Sequence, residues 1–211
     1  MKTAAAMFRQ QRIKAWAPPG FTLIELMVTL ALMAIMMVLA APSFITFQRN
    51  SELTTTANSF LATLASARAE AMKRQLRTFV IPASGDNWSN GWVAFVDVNR
   101  NVSDTTSAMV MDAGDIELAR GAALPSSVAI DAPSGSTSFV HGSVKYAMFN
   151  GSGFMSVIGG GFPAGGGDSL DFTNGTGQTR RVLASVAGRM RVCKPADAST
   201  LGDPGCSVGA F

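Results

Sequence analysis

The chain has 211 residues, enough for one membrane segment and one small domain, and a formal charge of +3 from 17 basic and 14 acidic residues. Four of the cations, Lys2, Arg9, Arg12 and Lys14, lie in an acid-free leader, and without them 13 basic residues face 14 acidic ones. The remainder is near neutral, so the overall positive charge does not argue for a nucleic-acid binder. A single histidine, His141, and two cysteines without a CxxC pair offer no zinc site. No phosphate loop is present, and no serine or cysteine has a base at motif spacing, so enzyme chemistry is not expected.

Residues 1–20 read as a basic leader. Residues 21–41 form an apolar run of the length a helix needs to cross a bilayer. It contains one carboxylate, Glu25. A charge inside such a segment is costly and calls for a function. Met27, Met33, Met36 and Met37 suit a surface that meets both lipid and neighbouring helices, or serve as plain apolar filler. The basic leader predicts a cytoplasmic N-terminus and export of the rest.

Gly20-Phe21-Thr22-Leu23-Ile24-Glu25-Leu26 resembles the processing site and first helical turn of type IV pilins and pseudopilins. The resemblance implies cleavage between Gly20 and Phe21 by a prepilin peptidase, methylation of Phe21, and Glu25 as the assembly glutamate. It further implies an inner-membrane subunit with its globular part in the periplasm and other pilins or pseudopilins as partners. The leader is longer than many in that family, and Pro18-Pro19 precede the cut.

Residues 42–77 are expected to form a second, amphipathic helical half. Pro42 removes one backbone donor, and the helix resumes after it. Leu53, Ala57, Phe60, Leu64, Ala67 and Ala71 recur at alternating steps of four and three, one apolar stripe. Glu52, Thr55, Asn58, Ser59, Thr63, Ser66, Glu70 and Lys73 fall on the other face. Lys73, Arg74 and Arg77 read as a solvated, dipole-favoured helix end rather than a binding patch.

Residues 78–211 read as a β-rich domain of short strands between turn clusters. Expected strands are 78–81, 91–98, 116–120, 128–131, 144–149, 154–157, 169–172, 181–187 and 189–193. The glycine-rich stretch 159–167 is expected to be the most flexible. The fold class is α+β, a long N-terminal helix packed on an antiparallel sheet. Gly91-Trp92-Val93-Ala94-Phe95-Val96-Asp97 has two apolar faces and reads as an internal strand. It resembles the glycine-tryptophan strand of the GspH/FimT branch of pilin-like proteins. Tyr146-Ala147-Met148-Phe149-Asn150-Gly151-Ser152-Gly153 resembles a later hairpin of that branch. Asp97, Asn99, Asn101 and Asp104 imitate the start of a calcium loop, but Val102 and Ala108 stand where glycine and glutamate are required, so a polar turn is expected. The Asn174-Gly175-Thr176 sequon reads as a turn.

At the C-terminal end, Met190 and Val192 should face the core and Arg189 and Arg191 the opposite side. Arg180, Arg181 and Lys194 lie nearby. The Gly188-Arg189-Met190-Arg191 pattern resembles the GRxR motif of FimT-type minor pilins, and the resemblance implies DNA contact by Arg189, Arg191, Arg181 and Lys194. The competing reading pairs these arginines with Asp168 and Asp171 or with another subunit. Cys193 and Cys206 are expected to form a disulfide in an exported domain, against two free thiols. Taken together, the sequence implies a minor pilin of a type IV pilus, with a type II secretion pseudopilin as alternative and a membrane-anchored enzyme as a remote one. No cofactor is expected.

Overall fold

The computed structural model describes residues 20–102, 109–131, 139–141, 144–196 and 202–207. Asp104, part of the calcium-like segment, lies outside them. The chain divides into two compact units, residues 1–42 and 43–211.

The described part of the first unit is helical from Leu23 onward. The helix α1, Leu23–Arg74, begins here and is long and apolar enough to cross a membrane. Thr22 caps it: its Oγ1 accepts from the Glu25 N–H at 3.3 Å, and its carbonyl accepts from the Leu26 N–H at 3.1 Å. Every described residue of this unit is exposed.

In the second unit α1 runs on to Arg74. It stops short of Arg77 because Gln75 adopts φ of 56°, a left-handed helix end. Lys73 and Arg74 in the last turn both pair with Glu70. The six stripe residues are fully buried. Thr63, expected on the solvent face, is buried as well. Its hydroxyl donates to the Ser59 carbonyl at 3.0 Å and accepts from Trp92 Nε1 at 3.0 Å. A short side chain able to satisfy itself locally is what permits a polar residue there.

Among the described residues eleven strands follow: β1 Thr78–Pro82, β2 Trp92–Val96, β3 Ile116–Gly121, β4 Val128–Asp131, β5 Val140–His141, β6 Val144–Lys145, β7 Ala147–Phe149, β8 Met155–Ser156, β9 Gly167–Asn174, β10 Thr179–Ser185 and β11 Met190–Cys193. They form not one sheet but a five-stranded sheet in the order β3-β2-β1-β7-β8, a four-stranded sheet in the order β11-β10-β9-β4, and the small β5–β6 ladder, all antiparallel. The expected single strand 144–149 is divided at Tyr146. Val144 and Lys145 pair with β5, while residues from Ala147 onward pair with β1. Tyr146 itself is buried, its hydroxyl accepting from the Ile158 N–H at 3.0 Å.

Both sheets share one core with the helix stripe. Val80, Trp92, Ala94 and Phe149 come from the first sheet, and Leu170, Phe172, Val182 and Ala184 from the second. At the centre, the Phe60 ring meets Trp88, Trp92, Phe139 and Phe172 edge-on at 5.1–5.8 Å. The opposite face of the first sheet holds a second cluster that includes Phe79, Val93, Phe95 and Tyr146. β2 is therefore internal, with both faces buried, as its alternation predicts.

Candidate functional site

Two regions bear on function. The first is the start of the chain. Phe21 is exposed, and Glu25 lies in the first turn of α1, where a carboxylate is favoured by the helix dipole. Gly20 is exposed and lies outside the helix.

The second region is β11 with its flanking turns. The β10–β11 hairpin turns through Ser185–Arg189. Gly188 N–H donates to the Ser185 carbonyl at 2.8 Å, and Ser185 N–H to the Arg189 carbonyl at 2.8 Å. Gly188 sits at φ of 75°, the left-handed position of this bulged turn. A Cβ there would lie 2.4 Å from the Gly153 carbonyl oxygen and 2.3 Å from Arg68 Nε. Arg68, on α1, donates through Nε to the Gly153 carbonyl at 2.9 Å and through Nη2 to the Ala187 carbonyl at 3.2 Å. One helix cation thus holds a turn from each of the two sheets.

The expected alternation of β11 holds for its apolar half: Met190 and Val192 pack against the helix-facing core. The cations separate by role. Arg181 makes a two-pronged ion pair with Asp171, both contacts at 2.7 Å, and a further 3.1 Å bond from Nη1 to the Cys206 carbonyl. The Asp171 carboxylate beside it raises its pKa above the ordinary arginine value. Arg191 is half-buried and donates to the Gly205 carbonyl. Arg189 is exposed. Lys194 is bound through its backbone, its N–H donating to the Asp203 carboxylate at 2.7 Å. The disulfide joins Cys193 to Cys206, with 2.06 Å between sulfurs, and packs on Leu183. Arg181 and Arg191 therefore anchor the disulfide-closed loop to the outer face of the sheet.

The pairing alternative for these arginines is realised at Asp171. Asp168 instead faces His141, with Nε2 3.1 Å from the carboxylate and the imidazole resting on Tyr146 at 4.6 Å. Nothing in the sequence links His141 to Asp168. His141 lies on the two-residue strand β5, which was not among the expected strands.

The calcium-like segment is occupied otherwise. Asp97 is fully buried and ion-paired to Arg77. Asn99 and Asn101 donate to Asp112, which holds its carboxyl below the ordinary value, Asn101 contributing most. Asp115 is pushed up, chiefly by burial. Among the described residues no group of three or more His, Cys, Asp or Glu side chains is placed to hold a metal.

The family model described as type II transport protein GspH matches residues 56–201, and that of the prokaryotic N-terminal methylation motif matches residues 19–41. Among curated proteins none matches the chain. Similar solved structures include the type IV minor pilin FimU of Pseudomonas aeruginosa strain PAO1, at 17% identity and TM-score 0.47, covering 76% of this chain and 99% of that one. The minor pseudopilin EpsH from the type 2 secretion system of Vibrio cholerae is similar at 15% identity and TM-score 0.43, covering 69% and 99%. The matched stretch 56–201 takes in the helix stripe from Ala57, both sheets and β11, and over most of its length the chain belongs to the GspH family of type IV pilin-like proteins.

Proposed function

We propose that this protein is a minor subunit of a type IV pilus, matured by a prepilin peptidase that cuts between Gly20 and Phe21, with methylation of the new N-terminus. The observation that carries the reading is the methylation motif at residues 19–41, coinciding with a capped apolar helix start and followed by a GspH-type domain. Residues 21–41 hold the subunit in the inner membrane, and the basic leader keeps the N-terminus cytoplasmic, so the sheets lie in the periplasm. Glu25 in hydrocarbon is unfavourable until neutralised. The N-terminal ammonium of a neighbouring subunit supplies the partner, so the cost of the buried carboxylate favours docking into a filament.

A pseudopilin role in type II secretion is the second reading, favoured by the description of the matching family as a type II transport protein. DNA capture is a further element of the pilus reading. Of the four arginine and lysine side chains assigned to it, Arg181 and Arg191 are engaged within the domain, so the contact rests on Arg189 and Lys194. Such a small phosphate contact implies weak, salt-sensitive binding.

Mass spectrometry of the membrane-extracted protein tests the central claim. The expected chain begins at methylated Phe21, and Gly20→Val leaves it uncut. Glu25→Gln should be processed normally yet be missing from sheared filaments. A mature N-terminus at another residue overturns the reading. Loss of surface pili against loss of protein secretion on deletion separates the two systems.

A further inference from the structure

β11 is the outer strand of the four-stranded sheet. Its register fixes where each backbone group points. With Ser185 bonded to Arg189, and Leu183 opposite Arg191 and Arg181 opposite Cys193, the N–H and C=O groups of Met190, Val192 and Lys194 are directed away from β10. Lys194 uses them: its N–H meets the Asp203 carboxylate, and its carbonyl accepts from the Asp203 N–H at 2.8 Å. The disulfide-closed loop thus covers the edge at Lys194. At Met190 and Val192 no described residue bonds the outward groups.

A groove of about 390 Å³ lies beside this edge, lined by Thr54, Asn58, Arg180, Val192, Lys194 and Asp203 among others. Two cations face one carboxylate, and that carboxylate already accepts the Lys194 N–H. Arg189 stands exposed at the other end of the strand. Bare sheet edges are templates for a further strand, and natural proteins usually blunt them. Here the edge is blunted at one end, unpaired beside it among the described residues, and flanked by positive charge.

We propose that the Met190–Val192 edge is the docking site for an extended, acidic segment of a partner protein, which adds a strand to β11 and sets its carboxylates against Arg180 and Lys194. Backbone bonds to the open edge give affinity, and the flanking cations select acidic side chains over basic ones. The assignment goes beyond the filament reading and does not depend on it. It favours a polypeptide over DNA, because a phosphodiester chain has no N–H to donate to the edge carbonyls.

The test uses the full mature chain in detergent micelles and a short, end-capped peptide of alternating Glu and Val. Amide hydrogen exchange at Met190 and Val192 is expected to slow about tenfold or more with the peptide. The matching Lys–Val peptide should give no protection. Val192→Pro removes an N–H that bonds nothing on β10, a substitution that sheet edges tolerate. It should weaken binding about tenfold while preserving the melting transition. If that variant fails to fold, an acidic peptide N-methylated at alternate residues, tested on the unaltered protein, removes the same bonds from the partner side. Arg180→Gln with Lys194→Gln should weaken binding and flatten its salt dependence. Unchanged exchange at Met190 and Val192, or equal binding of the N-methylated peptide, overturns the proposal. Duplex DNA bound equally by the unaltered protein and Val192→Pro, with no peptide binding, replaces it with a nucleic-acid surface. The N-terminal mass spectrum reads the filament assignment separately, so the two can fail independently.

Discussion

Phe60 is the side chain on which α1 and both sheets converge, and Phe60→Ala tests that arrangement. The ring is fully buried and meets four aromatic rings edge-on, Trp92 at 5.1 Å, Trp88 at 5.4 Å, Phe139 at 5.7 Å and Phe172 at 5.8 Å. Truncating a buried phenylalanine costs about 3–5 kcal/mol in transfer and cavity terms. The upper end is expected here, because the rigid neighbours collapse poorly into the space and edge contacts add about 0.5–1.5 kcal/mol each, without full additivity. Against a domain stability of about 5–15 kcal/mol, this loss is a large share. Phe60→Leu retains most of the volume and should lose about 1–2 kcal/mol, mainly the ring contacts. Urea unfolding of the unit from residue 43 onward, followed by fluorescence, reads the effect directly, because Trp88 and Trp92 are the ring's own neighbours. The midpoint should fall with an unchanged slope. A loss below about 1 kcal/mol for Phe60→Ala, or equal losses for Ala and Leu, would refute the central role of the ring.

Arg77→Met leaves the fully buried Asp97 carboxylate without its cation and should cost about 3–5 kcal/mol in the same unfolding assay, part of it recovered by adding Asp97→Asn. Gly188→Ala places a side chain at φ of 75° against the Gly153 carbonyl and Arg68. It should destabilise by more than about 1 kcal/mol and speed exchange in both turns that Arg68 holds. Glu70 is held below its ordinary value of 4.5, chiefly by its bond from Arg74. Its contribution is present above that value and lost as pH falls through the lower folded one, so Glu70→Gln should flatten acid destabilisation in that window. An unchanged pH slope in that variant would remove Glu70 from the acid response.

The sequence made the helix legible because its stripe repeats with one period over five turns, and all six stripe positions are buried. Thr63 escaped because a hydroxyl bonded to its own helix reads as polar while behaving as part of the core. Strand positions were legible from turn residues, and Asn174, like Ser185, begins a turn closed by glycine at its fourth position. Sheet membership was not legible. Nothing in the alternation of Val144–Phe149 says that its two ends pair with different strands. At the C-terminal end, period two placed Met190 and Val192 correctly but could not distinguish Arg189, which is exposed, from Arg191, which is tied to a loop fourteen positions on. The Arg77–Asp97 pair was hidden for the same reason: charge partners across strands leave no local pattern.

The clasp between the helix and the late turns has a consequence for how the chain comes into being. Arg68 reaches Ala187 across 119 positions, and Asn50 holds Asn174 across 124. A ribosome delivers the stripe of α1 long before the strands that cover it, so for most of synthesis that apolar surface has no native cover. Closing such distant contacts is slow relative to local helix formation. The nascent protein therefore depends on whatever shields the stripe until β9 and β10 emerge. A chain cut short before them keeps Trp88 and Trp92 but has no Phe172 to complete the ring around Phe60, which marks such fragments for aggregation or proteolysis.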